Sequence, residues 1–576
     1  MKIVIAKTAG FCMGVRRAVE LVLDLPKKYP EPIYTYGPLI HNPQVLALLE
    51  EKRIYALKEI PEKGSGTVLI RAHGVPPEVK KRLQASGLVV VDATCPRVIK
   101  VQTIIRKYAR QGYACIIIGD RDHPEVVGLL GYAGTQGVVA ADLKALSDLP
   151  RFEQAIVVAQ TTQNIELFEN AHRWVNEYFP HYKVFNTICD STENRQTEVS
   201  RLAEAVDAVV VVGGKNSGNT QRLLEIAQGK GKTAFHVETE AELDDALVGA
   251  QRVGITAGAS TPNWVLRRVY RGVQTLPFRK GKGWRRWWFT LERTLLLTST
   301  YLALGAGATC YASARLQNIS IHFPHILIAA LYVQSMHILN NLIGRKADRY
   351  NEPDRASFYD GHKGFLSLLA VLAGGAGLLA AYTLGTLPFL VLFAMSLTGL
   401  SYNLNILPAG IGTGKYRRIR DIPGSKTVLI ALAWGIVTSV FPALTAGAKF
   451  TAGSIAAVAW ASGLVFIRTA FFDILDMQGD RIVGKETLPI LIGEKKTMNL
   501  LKGMLIIIMA LLSGSAALRV LTSLGYLLLL PAASLFVVMM THEKGHMLPG
   551  IRLEFLVDTH FIMGGFLAGI WALGTG

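Results

Sequence analysis

The sequence predicts an α/β half followed by an all-α membrane half, and three observations carry that division. Residues before about Trp287 alternate short β-branched runs with helix-like segments of ordinary charge density. Residues after it form a series of long uncharged runs. The mean hydropathy of the 576-residue chain, +0.30, is too high for a purely soluble protein. The opening residues MKIVIAKTAGF are too short and too polar for a signal peptide, so the apolar load lies in the second half.

A basic stretch, Arg279, Lys280, Lys282, Arg285 and Arg286, followed by Trp287 and Trp288, reads as an interfacial anchor on the cytoplasmic side. It divides the chain into residues 1–278, a linker at 279–288 and a membrane domain at 289–576. The net charge of +18 and pI of 9.6 have the same origin, because Lys and Arg crowd particular loops of the second half. They report membrane topology and exclude a nucleic-acid footprint.

Three of the five cysteines close short β-branched runs: Cys12 in KIVIAKTAGFC, Cys95 in LVVVDATC and Cys189 in YKVFNTIC. Three thiolates delivered from strand ends can hold a metal cluster and leave one metal position open for substrate. Cys115 in YACIIIG and Cys310 in an apolar run read as packing residues, and so few cysteines argue against a disulfide framework. His41 in PLIHNPQV, His73 in RAHGVPPE and His123 in RDHPEVVG each follow an apolar run beside a turn former. Three histidines at strand ends beside three cysteines suggest a common cavity. Zinc competes as the metal, although no CxxC or HxxxH spacing supports a compact zinc site.

The segment VVVVGGKNSGNTQRLLEIA passes from a buried strand through a glycine-rich turn into a helix, and GITAGASTP, with Ser260, repeats the strand-to-polar-loop pattern. Backbone N–H groups at such a helix start, with Ser217, Gly218 and Asn219 beside them, fit a phosphate or diphosphate.

GFCMGVRRAVE, GPLIHNPQV, RAHGVP, DATCPRV, DHPEVVG, QTTQN, ICDSTENRQ, VVGGKNSGNTQRL and GITAGASTP follow in this order over residues 1–278 and closely resemble the LytB family, the 4-hydroxy-3-methylbut-2-enyl diphosphate reductases. The resemblance implies three pseudo-symmetric α/β domains around a 4Fe-4S cluster held by Cys12, Cys95 and Cys189. It implies reductive removal of an allylic hydroxyl, giving isopentenyl and dimethylallyl diphosphates in the last step of the methylerythritol phosphate route, with a ferredoxin or flavodoxin as electron donor. It assigns proton donation to Glu125, orientation of the hydroxyl to Thr161, and a diphosphate cradle to His41, His73, His123, Ser217, Gly218, Asn219 and Ser260. Cationic imidazoles are expected there as charge-assisted donors. Two departures stand out: Gly218 where some members carry a second serine, and Asp190 where others carry tyrosine.

In the second half, candidate membrane helices fall near 289–311, 322–343, 364–384, 387–403, 426–444, 453–474, 498–517, 522–540 and 558–574, about nine in all. Loops at 344–363, 404–425, 475–497 and 541–557 are expected to be cytosolic. They hold Arg345, Lys346, Arg349, Lys415, Arg417, Arg418, Lys495 and Lys496, as the positive-inside rule requires of a multi-pass protein with a cytoplasmic first half.

Asp473, Asp476 and Asp480 in FFDILDMQGDRIVGKETLPILIG gather carboxylates at a membrane boundary, where they are costly unless they bind cations. This segment resembles the second aspartate motif of the UbiA-type prenyltransferases, which implies magnesium holding a prenyl diphosphate. The first motif is altered. In NNLIGRKADRYNEPDR, Asn340, Asp348 and NEP at 351–353 match, whereas Gly344 replaces an aspartate and Asn341 stands where some branches have another; Asp354 or Glu352 are the candidate substitutes. Arg417, Arg418 and Lys426 are candidate diphosphate ligands or topological charges. The alternative is a noncatalytic helical domain that tethers the reductase or binds a membrane lipid.

Overall fold

The computed structural model describes residues 1–279, 284–401, 422, 424–445, 450–483, 485–544 and 550–575. They form two compact units, Met1–Lys280 and Gly281–Gly576. Lys280 and Lys282 of the predicted linker, and Lys415, Arg417 and Arg418 of the predicted loop 404–425, lie outside the described residues.

In the first unit the described strands are β1 (Lys2–Ile5), β2 (Ile33–Tyr36), β3 (Ile54–Leu57), β4 (Thr67–Ile70), β5 (Val89–Asp92), β6 (Ala114–Ile118), β7 (Gly137–Ala140), β8 (Ala155–Ala159), β9 (Lys183–Val184), β10 (Ala208–Val212), β11 (Thr233–Val237) and β12 (Arg252–Ala257). They make three four-stranded sheets with orders β11-β10-β12-β1, β3-β2-β4-β5 and β7-β6-β8-β9. Every pairing is parallel. The central strands ACIII, AIVVA and AVVVV are buried along their whole length, because helices cover both faces of each sheet. The helix Ile165–Tyr178 shows the pattern: Phe168, Ala171 and Val175 recur at helical spacing and are buried, the latter two in the core of β6 and β8.

The three sheets repeat one plan. In each, the second strand in the order (β10, β2, β6), the third (β12, β4, β8) and the far edge (β1, β5, β9) deliver their C-terminal turns to one side. Ligands of parallel α/β sheets gather at such carboxyl ends. The expected threefold arrangement is therefore present, with β1 from the start of the first unit completing the sheet built by that unit's last strands.

The second unit is helical. Among the described residues seven helices are long and apolar enough to cross a membrane, or eight if a bent pair counts as one span; this is a multi-pass membrane domain. The first predicted span is that bent pair, Arg286–Leu297 and Thr300–Leu316, meeting at 70°. Ser299 between them adopts a left-handed conformation, φ 58°. The helix Thr386–Ser401 has 16 residues and falls short of a full span. A π-turn at Ile436–Val440 interrupts the helical run between Ser425 and Thr445.

Two predicted loops are largely helix instead. The helix Phe323–Asn351 carries the first acidic motif past the apolar stretch, and Pro353–Gly361 forms another helix. Glu352 breaks them because the residue before proline is driven out of the α region, here to φ −137°, ψ 70°. Ala452–Val483 likewise extends through the second acidic motif.

Candidate functional site

Each sheet of the first unit gives one cysteine to the site, always in the turn that follows its far-edge strand and always as a helix N-cap. Cys12 caps Met13–Asp24, Cys95 caps Pro96–Ala109 and Cys189 caps Asp190–Ala205. All three are half-buried free thiols. Their backbone N–H groups make equivalent bonds: Cys12 to the Ala259 carbonyl at 3.1 Å, Cys95 to Ala72 at 2.9 Å and Cys189 to Thr161 at 2.9 Å. Each thus leans on the turn after the neighbouring third strand, beside Ser260, His73 or at Thr161 itself.

At two of these helix starts backbone N–H groups lie against the sulfur. Val15 N–H donates to Cys12 Sγ at 3.4 Å. Burial raises the Cys95 thiol, the N–H groups of Arg97 and Val98 lower it, and Cys12 and Cys189 raise it through like charge. A side chain on Gly14 would put its Cβ 2.6 Å from Cys95 Sγ, so the missing methyl makes the space that sulfur occupies. Arg17 Nη1 donates to Thr94 O at 3.1 Å, and Arg97 pairs with Asp190, tying the three cysteine turns together. Arg195, which the sequence reading passed over, is buried and donates to Ala257 O at 3.0 Å and Gly10 O at 2.6 Å.

This donor set fits an iron–sulfur cluster. Among the described residues the only trio with ligand atoms all within 4.8 Å of one another is His41, His73 and His123. The three sulfurs do not all approach that closely, whereas a single ion about 2.3 Å from each sulfur requires it.

The turns after the second and third strands supply the rest. His41 and His73 come from β2 and β4, His123 from β6, and their ring centroids stand 5.5, 6.1 and 5.3 Å apart. Ser260 Oγ lies 3.4 Å from His41 O and 3.5 Å from Ser217 Oγ, which joins the first sheet's turns to the trio. Gly214 permits the approach, since a Cβ there would sit 2.6 Å from His41 O. Ser217 caps the helix Gly218–Gly229, whose second residue is Asn219.

All three imidazoles lose their protons more readily than a free histidine. Burial, then Arg71, lowers His41; burial and its neighbours push His73 well down; burial brings His123 to about 4. Three rings so close and so little hydrated cannot all carry charge. They remain suited to an anion. His123 Nδ1 accepts the Glu125 N–H at 3.2 Å, which leaves the hydrogen of the neutral ring on Nε2 as a donor. The same tautomer disfavours His123 as a metal ligand. His73 Nδ1 and Asn219 Nδ2 are buried with no hydrogen-bond partner, as polar groups awaiting a ligand would be. Arg71, two residues before His73 in RAHG, adds positive charge that the sequence reading did not assign.

Glu125 is 2% exposed. It accepts the Thr161 backbone N–H at 2.6 Å and the Thr161 hydroxyl at 2.8 Å, one on each carboxyl oxygen. Burial raises its pKa, while these two bonds and the charge of Arg222 lower it. The result is a carboxyl that keeps its proton to higher pH than an exposed glutamate yet has a fixed orientation.

In the second unit a cavity of about 1140 Å³ is lined by Asp348, Asp473 and Asp476 together with Lys426 and Lys485. Part of its wall is apolar, with Tyr332, Met336, Trp434 and Phe472. Asp473 accepts the Thr427 hydroxyl at 2.8 Å. Asp480 does not line the cavity; it accepts Asn351 Nδ2 at 2.9 Å and has Lys485 Nζ at 3.4 Å. Of the candidate substitutes in the first motif, Glu352 lines the cavity and Asp354 does not. Two largely shielded ion pairs complete the wall: Arg468 with Asp558 at 2.6 and 3.1 Å, and Arg355 with Glu554 at 2.5 Å.

Residues 3–274 match the LytB protein family, and residues 301–544 match the UbiA prenyltransferase family. A 4-hydroxy-3-methylbut-2-enyl diphosphate reductase of Aquifex aeolicus is 41% identical over 278 residues, 48% of this chain and 96% of that protein. Among solved structures, one of (E)-4-hydroxy-3-methyl-but-2-enyl diphosphate reductase, the terminal enzyme of the non-mevalonate pathway, is 41% identical over 48% of this chain and 99% of its own, with a TM-score of 0.39. A UbiA homolog from Archaeoglobus fulgidus bound to GPP and Mg2+ is 17% identical over 48% of this chain and 98% of its own, with a TM-score of 0.36. With a relative covered almost end to end at that identity, the chain belongs to the LytB family through its first unit, and it carries a UbiA-family domain in its second.

Proposed function

We propose that residues 1–278 reduce 4-hydroxy-3-methylbut-2-enyl diphosphate to isopentenyl and dimethylallyl diphosphates. The observation that carries this reading is the buried Glu125 carboxyl, gripped twice by Thr161 and two residues from the anion-facing His123. The substrate diphosphate is taken by His41, His73, His123, Ser217, Asn219 and Ser260, with the backbone N–H of Gly218 in place of a serine hydroxyl. Held by Cys12, Cys95 and Cys189, a 4Fe-4S cluster supplies electrons one at a time and a Lewis-acidic iron for the substrate hydroxyl.

The protein's own residues manage the proton. Protonated Glu125 donates to Thr161 Oγ, whose own hydrogen turns toward the leaving oxygen, so that the allylic C–O bond breaks with departure of water. Two electrons and a second proton complete a C–H bond at either end of the allyl unit. The low-potential electron source is a ferredoxin or flavodoxin.

The membrane half is proposed to transfer a prenyl group from a diphosphate, with Mg2+ held by Asp348, Asp473 and Asp476 in the cavity. Oxygen-rich sites of carboxylate and phosphate suit that ion. The first unit lies on the cytoplasmic side, next to the basic run that precedes Trp287 and Trp288.

The full chain, purified anaerobically in detergent, is assayed with the hydroxy diphosphate and a low-potential donor. A 4Fe-4S spectrum with turnover that is lost in Glu125→Gln supports the reductase; a loaded cluster without turnover overturns it. Magnesium-dependent transfer from prenyl diphosphates, abolished by Asp473→Asn, supports the second activity; its failure across donors and acceptors favours a tether.

A further inference from the structure

The helix Gly218–Gly229 carries a residue that the proposed mechanism does not use. Arg222 is 8% exposed and stands three residues after Asn219, on nearly the same helix face. Its guanidinium divides between two turns of another sheet. Nη2 donates to Asp120 Oδ2 at 2.7 Å, in the turn after β6 that leads to His123 and Glu125. Nη1 donates to Thr162 O at 2.9 Å, in the turn after β8 that holds Thr161.

Those two turns are stitched to each other at the same place. Gln160 Oε1 accepts the Asp120 N–H at 3.0 Å, and Gln160 Nε2 donates to Thr162 Oγ1 at 3.0 Å. Thr161, between these partners, is the residue that orients Glu125. Position 218 looks onto the fork: a Cβ there would lie 3.5 Å from Arg222 Nη1 and 3.9 Å from Asp120 Oδ2. The glycine that departs from the family pattern therefore stands over this ion pair.

We infer that Arg222 is a positioning residue, which fixes the Glu125–Thr161 pair relative to the diphosphate-binding start of its own helix by forking between Asp120 and the Thr162 carbonyl. A single planar group with parallel N–H arms can do this where a point charge cannot. The inference rests on the reductase reading. It adds a geometric requirement: the reacting hydroxyl and the diphosphate are ends of one small molecule, so the groups that meet each end must keep a fixed separation.

Arg222 also acts electrically. Its positive charge is the ionic group that lowers Glu125, whereas His123 feels His41, Asp120, Arg222 and Arg71. Loss of Arg222 thus raises the pH at which Glu125 titrates, both directly and by loosening Thr161.

The test uses the full chain with Arg222→Gln and Arg222→Lys, each checked for cluster spectrum and thermal unfolding. Readouts are kcat and KM, and the pH titration of the Glu125 carboxyl by infrared difference spectroscopy, its band identified by its loss in Glu125→Gln. In Arg222→Gln we expect kcat to fall on the order of 10- to 100-fold, with KM changed less and the carboxyl titrating at higher pH. Arg222→Lys keeps the charge but not the fork, so its titration returns toward wild type while kcat stays low. Wild-type kcat in either variant, a loss confined to KM, or an unmoved carboxyl in Arg222→Gln overturns the inference. If Arg222→Gln does not fold, the kcat of Arg222→Lys decides. A wild-type chain without turnover overturns the reductase reading alone, and the infrared titration still decides the role of Arg222.

Discussion

Cys189 donates its backbone N–H to the Thr161 carbonyl at 2.9 Å, while the Thr161 hydroxyl and N–H both point at Glu125. One threonine therefore bridges a cysteine of the proposed cluster and the proposed acid.

Glu125→Gln should lower kcat on the order of 10²- to 10⁴-fold, the ordinary worth of a general acid, and leave the cluster absorption intact. It should also change the pH dependence of stability. A carboxyl whose pKa is raised on folding stabilises fully below its ordinary 4.5, and that contribution is lost as pH rises through the raised value. The variant lacks this loss. Melting temperatures of the variant relative to wild type should therefore climb as pH rises above 4.5; parallel profiles would contradict the assignment.

All three histidines are shifted below their ordinary range, His123 to about 4. A bound dianion favours the protonated rings, so pyrophosphate binding near neutral pH should take up protons and tighten as pH falls. Calorimetry in two buffers of different ionisation enthalpy measures the uptake. Heats independent of the buffer would sink the idea.

Gly14→Ala tests the cysteine site without replacing a proposed ligand. In an ordinary helix this change stabilises by up to about 1 kcal/mol. Here the methyl would meet Cys95 Sγ at 2.6 Å and Cys95 Cβ at 3.1 Å. Iron and sulfide content after anaerobic reconstitution should drop, whereas Gly229→Ala, whose Cβ meets nothing within 4 Å, should load as wild type.

In the membrane unit, Asp558 is 1% exposed and bonded twice to Arg468. Asp558→Asn removes the carboxylate that holds the Arg468 guanidinium, which lines the cavity with its side chain 12% exposed, and should cost on the order of 3 kcal/mol. Replacing both partners with apolar residues of similar volume should cost less. Unfolding in detergent, followed by circular dichroism, ranks the two.

The amino-acid pattern by itself determined the two-part architecture, because β-branched runs, uncharged stretches and a basic boundary are local properties. It also pointed to Cys12, Cys95, Cys189 and the histidines, since each sits where an apolar run ends in a turn, and parallel sheets put such turns on one side. The break at Ser299, the helical continuation of both acidic motifs and the withdrawal of Asp480 from the cavity were not legible. Each depends on a partner or a bend chosen in three dimensions, such as Asn351 for Asp480. Only the tertiary structure decided the electrostatics. The lowered imidazoles, the raised Glu125 carboxyl and the forked Arg222 arise from burial and from neighbours up to 102 residues away in the chain, and no local pattern records how much water a folded cavity excludes.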